Sequence, residues 1–170
     1  KVISVLENCR LSPQDENFEA SNMEMTNIST DNRAENVIPA NVSMQFNVRY
    51  GDKHTAVSLF SEYNSLLAEA FHPDEFSFSY RTSGDSFLSR SPEFSQMVAQ
   101  SIEKITGFTP EINTKGGTSD GRFLYKYCPI VEVGLSGATA HQINESVSED
   151  DLLLLSKIYK QIIIDYATKN

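Results

Sequence analysis

The sequence predicts a mixed fold in two parts, an α+β unit with an antiparallel sheet followed by part of an α/β unit. Three observations carry that expectation. Over residues 42–50, Val42, Met44, Phe46, Val48 and Tyr50 alternate with Ser43, Gln45, Asn47 and Arg49, the period of a strand with one apolar and one polar face. Over residues 54–71, Val57, Phe60, Tyr63, Leu66, Leu67 and Phe71 recur at helical spacing. Residues 130–134 are apolar at all but Glu132 and the closing Gly134, the habit of a strand covered on both faces of a parallel sheet.

The remaining elements follow in order. Val2, Ile3, Leu6 and Val5 suit a helix that has ended by Ser12-Pro13. Residues 13–20 are polar and acidic, as in a loop, and residues 22–30 form a weaker strand carried by Met23, Met25 and Ile28. Residues 30–35 read as a turn. After the helix of residues 54–71, His72-Pro73-Asp74 breaks the chain, and Phe76, Phe78 and Tyr80 alternate as in a further strand. Composition shifts near Ser83-Gly84-Asp85-Ser86. Ser91 is placed to cap a helix with Pro92 at its first position and Phe94, Met97, Val98, Ser101, Ile102 and Ile105 on one face, ending at Gly107. A strand near residues 111–113, a glycine turn and a short helix near 119–127 come next. Ser148 and Asp151 resemble a capping box for a last helix that is apolar over a wide arc. Such a helix needs a broad sheet to cover. With only about two strands of that sheet in sight, several side chains worth ~1.5–3 kcal/mol each on burial stay uncovered, and self-association is expected.

Composition narrows the function. The 170 residues carry a net charge of −9 with no long basic run, which argues against nucleic-acid binding. No apolar stretch approaches the ~20 residues that span a bilayer, and no secretory pattern opens the chain. A cytoplasmic protein is expected, so the acceptor triplets at Asn27, Asn41 and Asn144 carry no meaning. The two cysteines, Cys9 and Cys128, fit neither a disulfide framework nor a metal pair, and Cys128 is expected as a buried thiol. The chain opens at Lys1 inside a predicted helix, so a segment of a longer protein is expected.

The chemistry concentrates in two places. Gly116 and Gly117 would let backbone amides approach a ligand, Thr118 and Ser119 add hydroxyls, and a following helix start favours an anion. An ordinary strand-to-helix turn is the alternative, and the pattern is neither a P-loop nor a dinucleotide fingerprint. His141, with Glu145 four residues on, is a candidate metal ligand; a core or surface histidine is the alternative, because zinc needs three or four ligands. His54 and His72 flank a helix and are expected in solvent. Arg49 lies on the polar strand face beside Asn47, where it could fork onto a carboxylate or stay solvated.

Together these residues amount to a family resemblance. ENVIPANVSMQFNVRY (35–50), TKGGTSDGRF (114–123), VEVGLSGATAHQINE (131–145) and VSEDDLLLLSKIY (147–159) resemble, in this order, the C-terminal half of the succinyl-diaminopimelate desuccinylases. Those enzymes belong to a co-catalytic zinc metallopeptidase superfamily that also holds acetylornithine deacetylases and dipeptidases. The resemblance implies an antiparallel-sheet lid or dimerisation domain over residues 1–85, lacking its first strand, then the C-terminal part of a zinc-peptidase-like α/β catalytic domain over residues 86–170. It implies a homodimer formed through the lid, a small-molecule substrate, and two zinc ions, replaceable by cobalt. His141 falls on the last zinc ligand. Gly117 and Thr118 match substrate contacts, and Asn36 and Arg49 match lid residues that reach substrate carboxylates or amides, in the family across the dimer. Two positions depart from the pattern. Glu35 stands where some members have the first of two asparagines, and Gly137 where some have an asparagine four positions before the histidine. The other ligands, the general-base glutamate and an oxyanion-binding histidine have no counterpart here, so these 170 residues alone are expected to be inactive. A non-enzymatic dimerisation module and a related deacetylase or dipeptidase are the alternatives.

Overall fold

Alternating apolar residues pair two strands and lay a helix across them, and that is how the first unit begins. The computed structural model describes residues 1–89, 91–116, 119–135 and 137–169. They divide into two compact units, Lys1–Phe87 and Leu88–Asn170.

In the first unit a short helix α1 (Val2–Leu6) precedes β1 (Asn22–Thr30) and β2 (Val42–Arg49), which pair antiparallel from Asn22 opposite Arg49 to Thr30 opposite Val42. The register slips at Thr26. That bulge explains why β1 alternates weakly in sequence: Met23 and Met25 face Val48 and Phe46, and one extra residue then brings Ile28 opposite Met44 on the same face. The Thr26 hydroxyl bonds the Gln45 carbonyl at 3.2 Å inside the bulge. Helix α2 (Ala56–Ala70) is capped by Thr55, whose hydroxyl accepts the Ser58 amide while Ser58 returns a bond to the Thr55 amide. Its buried face is Leu59, Tyr63 and Leu67, joined by Leu6 and Cys9. Val57, expected on that face, is 66% exposed, because it sits two positions before Leu59 and points around the helix.

The strand expected at Phe76, Phe78 and Tyr80 does not form; a single turn of 3₁₀ helix, Pro73–Glu75, leads instead into an extended segment without a ladder. Its rings are packed nonetheless. Phe78 stacks on Phe46 at 6.0 Å and Phe60 at 5.1 Å, and Tyr80 lies 4.8 Å from Phe60. Aromatic burial alone accounts for the alternation, which reports side-chain packing and not backbone pairing. At the end of the unit Asp85 accepts the Tyr50 hydroxyl at 2.9 Å and the Ala56 amide at 2.8 Å, joining β2's exit to the first turn of α2. Burial, and then the Asp85 carboxylate, push the Tyr50 phenol up to about 12. His54, expected in solvent, is half-buried and accepts the Ser12 amide at 3.1 Å.

In the second unit α3 (Pro92–Thr106) buries Met97, Val98, Ala99 and Ser101 and ends at Gly107, and α5 (Glu149–Lys169) packs on it. Ser91 occupies the cap position of α3 without a side-chain bond. The α3–α5 seam is polar at its centre. Asp165 accepts the Ser101 hydroxyl at 2.7 Å and Lys104 Nζ at 2.8 Å, while Phe94 and Tyr166 meet edge-on at 6.0 Å. The helix expected near residues 119–127 is one turn, α4 (Gly121–Leu124). Neither residues 111–113 nor 130–134 form strands. The backbone of 130–134 is tied by side chains: Ile130 N–H donates to Ser89 Oγ at 2.9 Å, and the Tyr159 hydroxyl donates to the Val133 carbonyl at 2.6 Å. Without a neighbouring strand, an apolar run has no ladder to join. Helix α5 is accordingly left uncovered, with Leu153 60% and Ile163 68% exposed. Cys128, expected buried, is exposed for the same reason, and both cysteines are free. The mixed helix and strand content with one small antiparallel sheet fits the α+β half of the expectation.

Candidate functional site

Arg49 closes β2 opposite Asn22, exposed on the polar sheet face two residues from Asn47. Asn36 lies at the other end of the hairpin, in the loop that joins Thr30 to Val42. Asn32 organises that loop, its side-chain oxygen accepting the Ala34 amide at 2.8 Å and its side-chain nitrogen reaching the Val37 carbonyl at 2.7 Å. Val37 is thus held near the loop's start, and Asn36 stays at the tip. The eight residues of β2, at ~3.3 Å each, separate the two hairpin ends by about 23 Å. Ile38, beside Asn36, is 92% exposed. One hairpin therefore presents Asn36 and Arg49 to different places.

The glycine turn begins with the Asn113 side chain accepting the Lys115 amide at 2.9 Å and Gly116 at φ 140°. Gly117 and Thr118, the residues expected to hold substrate, lie outside the described residues. The exit of the turn is well defined. Ser119 accepts the Gly121 amide at 2.9 Å and gives its own hydroxyl proton to Glu132, and Asp120 precedes α4 as its cap residue. Glu132 escapes sequence reasoning, although one signal was present: it is the lone carboxylate in the apolar run of residues 130–133.

His141 sits in a chain of turns over residues 138–144 and is exposed. Its φ is 63° and that of Asn144 is 65°, a left-handed conformation that is uncommon outside glycine and collects at functional sites. The surrounding fold imposes it. Thr139 Oγ1 donates to the Ser146 carbonyl at 2.8 Å and accepts the Ser146 amide at 3.1 Å, pinching the turn shut, and Gln142 Nε2 reaches the Ala138 carbonyl at 3.2 Å. Among the described residues no three His, Cys, Asp or Glu side chains gather closely enough to hold a metal ion. The residues present therefore do not fit a zinc centre by themselves. No described helix is long and apolar enough to cross a membrane.

The first unit thus offers an exposed arginine at the end of its hairpin, and the second a glycine turn whose exit is braced by Glu132 and a histidine at positive φ. Comparison with known proteins gives the chain a family. Residues 6–165 match peptidase family M20/M25/M40, and the chain belongs to it. Among curated proteins it is 40% identical over 162 residues to the succinyl-diaminopimelate desuccinylase of Ehrlichia chaffeensis (strain ATCC CRL-10679 / Arkansas), covering 95% of this chain and 42% of that one. It is 37% identical over 168 residues to the enzyme of the same name from Pelagibacter ubique (strain HTCC1062), covering 98% and 44%. The Cereibacter sphaeroides (strain ATCC 17025 / ATH 2.4.3) protein, likewise so named, is 42% identical over 153 residues, covering 89% and 40%. The family resemblance read from the motifs thus agrees with these relatives, of whose length the chain spans about two fifths.

Proposed function

We propose that these residues form part of a zinc-dependent amidohydrolase that cleaves N-succinyl-LL-2,6-diaminopimelate to succinate and LL-diaminopimelate. The observation that carries the reading is the 40% identity over 95% of this chain to a protein named for that reaction. Supporting it, the four motifs fall in the family's order along the sequence.

Each residue then has a task. The Arg49 guanidinium, exposed at the end of β2, forks onto a substrate carboxylate, which a planar pair of donors matches better than a point charge does. Asn36 offers an amide that can donate and accept. The backbone of Gly117 and the hydroxyl of Thr118 bind the substrate from the glycine turn, where the missing Cβ permits close approach. His141 would give one imidazole nitrogen to a metal ion held mainly by residues outside those described, and such an ion would lend Lewis acidity to amide cleavage. The reading includes a homodimer formed through residues 1–85, with Asn36 and Arg49 reaching substrate carboxylates or amides across it.

Substrate preference tests this reading. The full-length enzyme carrying these residues should favour N-succinyl-LL-diaminopimelate over N-acetylornithine in kcat/KM by at least about a hundredfold, because a site built to pair a second carboxylate leaves its cation unpaired with the acetyl compound. A reversed ratio would place the chain with the deacetylases.

A further inference from the structure

In the second unit the glycine turn is fastened at one point that the motif itself does not contain. Glu132 accepts the Ser119 hydroxyl, and Ser119 Oγ accepts the Gly121 amide at 2.9 Å. The three groups touch so closely that a Cβ at Gly121 would lie 2.9 Å from Glu132 Oε1, 3.0 Å from Ser119 Oγ and 3.0 Å from Ile130 Cγ2. Glu132 is in turn fixed by its neighbours, since Ile130 N–H is held by Ser89 and the Val133 carbonyl by Tyr159 of α5. A continuous series of bonds therefore runs from α5 through residues 130–133 to the exit of the turn.

We propose that Glu132 is a positioning residue for substrate binding, acting through Ser119 to fix the residues that leave the glycine turn. A carboxylate accepts a hydroxyl proton in a charge-assisted bond, stronger than a neutral pair, and leaves the serine oxygen free to receive the Gly121 amide. A side chain at position 121 would press on both members of the pair, so the close approach is made easiest by glycine. Glu132 touches no substrate in this account; it sets where the turn's donors stand. The inference deepens the proposed function and rests on the turn being the part that grips substrate.

Two readouts separate the clamp from that reading. The first is hydrogen exchange of the Gly121 amide. Its protection should fall about tenfold or more in Glu132→Ala and Ser119→Ala, while Glu132→Gln, which keeps an acceptor oxygen, retains most of it. Equal protection in all three variants would overturn the clamp whether or not the protein turns anything over. The second readout is steady-state kinetics of the full-length enzyme on N-succinyl-LL-diaminopimelate. Glu132→Ala and Ser119→Ala should each raise KM about tenfold with kcat within about twofold, and the double variant should be no worse than either, as for two groups acting as one unit. A fall in kcat with KM unchanged, strictly additive effects, or Gln behaving as Ala would contradict the positioning role. Lost protection with no turnover by the wild type leaves the clamp standing and removes the proposed substrate instead.

Discussion

Tyr63 shows how a single side chain can serve the fold while carrying a local cost. Its ring is 2% exposed at the centre of the first unit's core and meets Phe46 edge-on at 5.1 Å. Its hydroxyl is buried without a well-formed hydrogen bond among the described residues, and the neighbouring Cys9 thiol is a weak partner. Burial first, and then that thiol, push the phenol well above its usual range, and burial raises Cys9 as well. Tyr63→Phe keeps the packing and removes the unpaired group, so it should leave stability unchanged or raise it by up to about 1 kcal/mol, read from the urea midpoint. Asp165 makes the opposite case. Lys104 first, then Ser101, hold its carboxyl below the usual carboxylate range. A depressed folded pKa contributes stability that is complete above the unfolded value of ~3.9 and is lost as pH falls through the folded one. Asp165→Asn should therefore lower the thermal midpoint at neutral pH, with the gap to wild type narrowing steadily on acidification below pH ~4. A gap constant with pH would show that the carboxylate's charge contributes nothing.

At the scale of elements, side-chain periodicity predicted helices and β2 well and predicted lone strands poorly. The spacing over residues 42–50 and the helix end at Gly107 each describe a local event, and local physics decided them. Ser91, expected to cap α3, makes no side-chain bond, whereas the Thr55 cap of α2 went unread. The strands expected at residues 76–80 and 130–134 depend on a neighbour, which no window of sequence contains. The bulge at Thr26 was invisible for a related reason, since a register slip exists only between two strands. Of the candidate site, Arg49 and the glycine turn were legible as residue types. The Ser119–Glu132 bond, spanning 13 residues, was not. Gly107 offers a test of a legible element. It ends α3 at φ 76°, its amide bonds the Glu103 carbonyl at 2.8 Å, and a Cβ there would meet no atom within 4 Å. Gly107→Ala should thus cost about 1–2 kcal/mol through backbone conformation alone, and Gly107→Asn less, as read from chemical denaturation.

At the scale of the molecule, the apolar face of α5 is the feature that local reasoning anticipated and the structure bears out. Leu152, Leu153, Ile163 and Tyr166 are all about half exposed or more, an arc wider than a surface helix carries. The chain spans about two fifths of the length of its relatives, and His141 stands in a strained turn without enough companions among the described residues to bind a metal. Under the proposed function His141, whose turn is closed by Thr139 and Ser146, would bind a metal only alongside residues from elsewhere in the enzyme. That claim is tested most directly by replacing it. In the full-length enzyme, His141→Ala should reduce bound zinc from about two ions per protomer to about one and lower turnover of N-succinyl-LL-diaminopimelate by about a thousandfold or more, with the thermal midpoint of the metal-free protein unchanged. An enzyme that kept its full zinc content and turnover without His141 would contradict the account.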